Sequence, residues 1–233
     1  MAVAFDATSG GAATSDTNTL TVSHTASGTD RYALAFVAYR QLNSATVSGV
    51  TYNGVAMTRL GGGLGSDSEY GDLWEIVNPP TGAQSVVATL SANSRGLTLR
   101  VITFTGVHQT TPSRNFNTAT GISTAPSVTI TSASTDLVLG ALVHRDAGTN
   151  VSAQGSGQTS RWNQLPDSYT AFSGSARSHG STEPGAASVV MDWTISSSQG
   201  WRASGVSIQE AGGAAPTTSL PYRANPLRTL LLR

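Results

Sequence analysis

The chain has 233 residues, with 13 arginines and no lysine set against 13 acidic residues, so its formal charge is zero and only 11% of residues are charged. That balance sets aside a basic nucleic-acid binder and an acidic tail. The absence of cysteine removes disulfides, thiol catalysis and zinc sites built on Cys.

The N-terminus, MAVAFDATSGG, carries neither a basic nor an apolar leader region, so no secretory signal is expected. Strand signals then dominate: TLTVSHT at 19–25, YALAFVAYR at 32–40, VTYNGVAMTRL at 50–60, GDLWEIV at 71–77, SVVATLS at 85–91 and LTLRVITFTG at 97–106. After a polar stretch at 108–126, expected to be a loop, come SVTIT (127–131), DLVLGALVHR (136–145), SYTAFSGSARS (168–178), SVVMDWTI (188–195) and WRASGVSIQE (201–210). Alternation of period two places Leu97, Leu99, Val101 and Thr103 on one face and Thr98, Arg100, Ile102 and Phe104 on the other. Turn residues punctuate the gaps at Asn53-Gly54, Asn78-Pro79-Pro80 and Glu183-Pro184-Gly185. The longest apolar runs, Tyr32 to Tyr39 and Leu137 to Val143, are far shorter than the roughly 20 residues of a membrane helix.

Short strands with Gly/Pro turns predict an all-β protein, a two-sheet antiparallel β-sandwich of jelly-roll-like kind. Residues 19–40 align with 127–145, and the Gly-Ala-x-Ser-Val-Val run at 82–87 aligns with that at 185–190. An internal duplication is therefore expected, with units near 19–107 and 127–210. The duplicated halves either pack into one sandwich or form two tandem immunoglobulin-like sandwiches. Residues 1–211 are assigned to the sandwich and 212–233 to an extended C-terminal arm. Trp74, Val87, Ile102, Leu139 and Val190 are expected in the core.

Candidate chemistry is sparse. Glu69, Asp72 and Glu75 in EYGDLWE invite a glycosidase comparison, but a regular strand turns Asp72 away from the other two, and solvated strand charges are the expectation. The histidines His24, His108, His144 and His179 fit no metal spacing, and no cofactor is expected. Asp67 with Glu69, and Asp146 with Asn150, are weak calcium candidates. GGGLG at 61–65 reads as a flexible hairpin tip. Trp74 and Trp193 lie inside apolar strands, whereas Trp162, Asn163 and Asp167 stand in a polar stretch suited to glycan contact.

The tail, GGAAPTTSLPYRANPLRTLLLR, joins a Gly/Ala/Pro linker to a basic, apolar end. Tyr222, Arg223, Leu227, Arg228, Leu230, Leu231 and Leu232 are the expected partner-docking residues.

The motifs VTYNGVAMTRL, GDLWEIVNPPTGAQSVVATLS, VITFTGVHQTTP and GSTEPGAASVVMDWTISSSQGW resemble a β-sandwich module of tailed-phage virion proteins and bacterial surface proteins. The resemblance covers about residues 18–210, leaves out the first 17, and carries no catalytic residues. It implies a non-enzymatic virion structural protein at the particle surface, a capsid decoration protein in the first instance. The expected partners are copies of itself and a major capsid or tail protein, without nucleic acid or membrane. A carbohydrate-binding or adhesion module on a bacterial surface is the alternative.

Overall fold

The computed structural model describes residues 2–146, 152–164 and 175–212. All its regular elements are strands: β1 (Ala4–Ala12), β2 (Thr17–Ala26), β3 (Tyr32–Arg40), β4 (Val47–Tyr52), β5 (Val55–Ala56), β6 (Thr58–Leu64), β7 (Glu69–Val77), β8 (Gly82–Thr105), β9 (Ser113–Ser123), β10 (Ser127–Ile130), β11 (Leu137–Asp146), β12 (Ser152–Gln154), β13 (Thr159–Gln164), β14 (Ser175–Pro184), β15 (Val189–Ile195) and β16 (Gln199–Ile208). Every pairing is antiparallel.

The 24-residue β8 organises the first half. Its leading part pairs with β2 and β4, and its trailing part pairs with β1 and β3. Gly96, at φ +62°, lies just past the switch from β2 to β3 pairing at Ser94 and Arg95, in a backbone region that L side chains disfavour. The result is an outer sheet, β2-β8-β4-β5, facing an inner sheet, β1-β8-β3-β7-β6. The second half has an outer sheet, β10-β15-β12, and an inner sheet, β9-β16-β11-β14-β13.

Among the described residues, hydrophobic burial separates these layers into three cores. Val22, Val50, Tyr52, Val86, Leu90, Leu99 and their neighbours fill the first sandwich. Ile130, Leu142, Met191, Trp193 and Ile195 fill the second. Between the two inner sheets lies a central core with Leu34, Phe36, Ile102 and Phe104 on one side and Leu139, Val143, Val206 and Ile208 on the other. β3 is consequently buried on both faces, from Tyr32 to Tyr39, which is why its sequence is an unbroken apolar run and not an alternating one.

The β-sandwich class expected from sequence is present, with more layers than the single facing pair of sheets. Other expectations need correction. Residues 113–123 of the supposed loop are strand β9, and residues 4–12, outside the expected repeat, are strand β1. Gly61, Gly62 and Gly63 are not a hairpin tip: they pair with Leu73, Asp72 and Gly71 inside β6. They keep positive φ values of 155°, 149° and 145°, and a Cβ on Gly62 would lie 2.2 Å from the Gly71 carbonyl.

Trp74, Ile102 and Leu139 are buried, but Val87 is half-buried and Val190 is 51% exposed. Each follows another valine in an outer strand whose other face meets solvent. Burial of Ala88 and Leu90, and of Met191, Trp193 and Ile195, fixes the phase so that Val86 and Val189 point inward. Asn53 and Gly54, at φ +49° and +78°, form the expected turn between β4 and β5. Residues 213–233, nearly all of the expected arm, lie outside the described residues.

Candidate functional site

β7 runs against β3 without a bulge, so Glu69, Leu73 and Glu75 share one face while Tyr70, Asp72 and Trp74 share the other. The expectation of solvated strand charges fails: Glu69 is 1% exposed and Asp72 is fully buried. β7 is an internal strand between β3 and β6, covered by a layer on each face.

Each carboxylate instead has internal partners. The Arg59 guanidinium donates from Nε to both Asp72 oxygens at 3.0 and 2.9 Å, with Nη2 2.8 Å from Oδ1. Trp74 Nε1 donates to Oδ2 at 3.1 Å. Burial nevertheless outweighs these partners and pushes the Asp72 carboxyl above its ordinary range. Glu69 accepts from the backbone N–H of Ser66 at 2.5 Å and of Asp67 at 2.9 Å in the β6–β7 turn, and burial raises it too. Glu75 accepts from the Tyr32 hydroxyl and, at 2.8 Å, from Ser113 Oγ. The three carboxylates thus sit on two faces and hold separate pieces of chain together.

A second buried polar cluster lies in the other inner sheet, on β11, β13 and β14. In the first half Tyr39 pairs with Tyr70, Val37 with Asp72, and Asp72 with Gly62. In the second half His144 pairs with Arg177, Leu142 with His179, and His179 with Asn163. Tyr39 and Tyr70 stack with ring centroids 4.8 Å apart. His144, Arg177 and His179 are also buried. Burial, the Arg177 charge and His144 together lower His179 to about 4, so it is neutral at pH 7. Arg177 Nη2 donates to Asn163 Oδ1 at 3.2 Å, and His144 Nδ1 donates to the Arg145 carbonyl at 2.9 Å. Sequence reasoning missed this polar end, although Tyr39 with Arg40 and His144 with Arg145 already close the aligned apolar runs.

His24 is buried in the first sandwich, with Nδ1 3.0 Å from Ser9 Oγ and Nε2 hydrogen-bonded to Thr103 Oγ1. Two hydroxyls occupy both ring nitrogens, which pins β2 to β1 and β8. His108 Nδ1 accepts from the Thr111 backbone at 3.0 Å. Among the described residues no three His, Asp or Glu side chains gather as metal ligands. Of the calcium candidates, Asp67 pairs with Arg145 at 2.6 Å, Glu69 is engaged as above, and Asn150 lies outside the described residues.

Of the glycan candidates, Trp162 is 5% exposed and belongs to the central core. Its ring lies against Gly180, where a Cβ would come within 2.2 Å of it, and its centroid is 6.3 Å from that of Phe36. The ring therefore offers no open stacking platform. Asn163 is exposed and takes the Arg177 hydrogen bond, while Asp167 lies outside the described residues. Tyr222, Arg223, Leu227, Arg228, Leu230, Leu231 and Leu232 also lie outside them. Compared with protein-family models, curated proteins and solved structures, the chain matches none.

Proposed function

We propose that this chain is a non-enzymatic structural protein of a tailed-phage particle, a capsid decoration protein built by internal duplication and attached through its C-terminal arm. The observation that carries the reading is the use made of the carboxylates of β7. Asp72, Glu69 and Glu75, the residues that invite a glycosidase comparison, each tie one strand or turn to another. A glycosidase needs two carboxyl groups facing one sugar across a shared cleft, whereas Asp72 faces away from Glu69 and Glu75, and those two are each turned to internal donors of different segments. A stack of three apolar cores behind Ser/Thr-rich outer faces suits a body displayed on a surface. The resemblance at VTYNGVAMTRL and GDLWEIVNPPTG supports the same class.

Duplication is supported by the register. Leu20 and Val22 pair with Ala88 and Val86, as Val128 and Ile130 pair with Met191 and Val189. In both halves the outermost strand of the inner sheet carries a one-residue bulge at the same place, at Leu60 and at Arg161.

The test uses particles purified from the natural source. Antibody to the full chain should label the capsid surface in a regular pattern, and a chain lacking residues 216–233 should stay folded but fail to co-sediment with particles stripped of the protein. Absence of the chain from purified particles would overturn the reading. Co-sedimentation of the truncated chain at the full-length level would remove the arm from it.

A further inference from the structure

We infer that the two halves are separable modules bound face to face about a local two-fold axis, and that each inner sheet is a binding surface whose partner is a module of the same kind. The inference rests on the duplication proposed above and is independent of any role in a particle.

The strand equivalences follow from pairing order. β3 and β11 are the central strands of the inner sheets, β7 and β14 lie on one side of them, and β8 and β16 on the other. β6 and β13 then form one edge, and β1 and β9 the opposite edge. Across the central core, however, like does not face like at the edges. β6 packs on β9, β7 on β16 and β11, β3 on β14 and β11, and β8 on β14. The Arg161 guanidinium of β13 sits 4.2 Å over the Phe5 ring of β1. Among the described residues the contacts come in exchanged pairs: β3 on β14 answers β11 on β7, β7 on β16 answers β14 on β8, and β3 on β11 answers itself. A two-fold rotation through the centre produces this exchange, and it is the rule for an isologous homodimer interface.

The surface has the composition of an obligate interface. Leu34, Ile102 and Phe104 on one side, and their equivalents Leu139, Val206 and Ile208 on the other, are all buried there. Side-chain volume has been exchanged between the faces. Gly61 and Leu73 in the first half stand where Trp162 and Gly180 stand in the second, while Phe36 stands where the second half has Ala141. Paired gains and losses of this sort fit one face to the other, so the preferred partner of each module is its linked counterpart.

The joining segment is short and open to cutting. Thr110 and Thr111 are exposed, and β9 begins only at Ser113. A protease recognition sequence inserted between them in the full chain allows the folded protein to be nicked. The nicked halves should co-elute as a one-to-one pair at the mass of the intact chain, 23.9 kDa, separate in denaturant, and pair again when it is removed. Nicking that unfolds the protein, or halves that part at once under native conditions, would overturn the inference. A Val206→Arg substitution in the nicked chain should release the halves at micromolar concentration while both keep their β circular dichroism. Retention of the pair, or loss of structure in both halves, would count against it.

Discussion

Arg145 of β11 reaches Asp67 in the β6–β7 turn, Nη1 to Oδ2 at 2.6 Å, and this ion pair bridges the two halves of the chain. Both side chains are more than a third exposed, so the contact contributes no more than ~1 kcal/mol. The central apolar core must supply most of the cohesion. Arg145→Ala should therefore change stability by less than about 1 kcal/mol, whereas Leu139→Ala should cost about 2–5 kcal/mol. Equilibrium denaturation of the two variants compares them directly.

Arg59 and Asp72 form a more demanding pair, because Asp72 is fully buried while Arg59 remains partly solvated. Arg59→Met leaves the carboxylate with Trp74 as its main remaining donor. A loss of roughly 2–3 kcal/mol is expected, below the ~3–5 kcal/mol of a wholly buried pair because water still reaches the site. Asp72→Asn placed on top of Arg59→Met should restore part of that loss, as a double-mutant cycle would register.

His179 gives stability a defined dependence on pH. Its folded value of about 4 lies below the ordinary 6.5, so the unfolded chain binds its proton first as pH falls. The stability associated with a neutral His179 is complete above about pH 6.5 and is lost as pH falls toward 4, an effect on the order of 3 kcal/mol. Burial lowers His24 as well and adds to the same trend. Asp72 and Glu69, raised by burial, act in the opposite sense at the acid end. Melting temperature measured from pH 7.5 to pH 4.5 should fall, and His179→Gln should flatten the slope. An unchanged slope in that variant would remove His179 from the explanation.

Glycine substitutions separate close packing from open surface. Gly180→Ala puts a methyl within 2.2 Å of the Trp162 ring and should cost about 1–3 kcal/mol through overpacking, with a shift in tryptophan emission. Gly49→Ala, which meets nothing within 4 Å, should stay within about 0.5 kcal/mol of the parent.

How much of this was legible in the sequence depended on whether a pattern had one physical cause. The Asn53-Gly54 turn and the unbroken β3 run each had one and were readable. Val189-Val190 had two, since either valine satisfies a strand and only the facing sheet decides which is buried. β9 is polar because it is an edge strand with much of its surface exposed, so its sequence reads as a loop. The burial of Asp72 was hidden because its partner Arg59 lies on the adjacent strand, beyond any local spacing rule. Tyr39 and His144 close the apolar runs of β3 and β11 in the sequence, but what they meet is set by the pairing of β3 with β7 and of β11 with β14.

The most direct test of the layered account is native-state hydrogen exchange resolved by strand. β3, and β11 from Val138 to His144, are buried on both faces, whereas β2 and β15 alternate between core and solvent. Amides of β3 and β11 should exchange last and at similar rates, with β2 and β15 exchanging sooner through smaller openings. Exchange of β3 and β11 as fast as β2 and β15 would contradict a central core shared by two sandwiches.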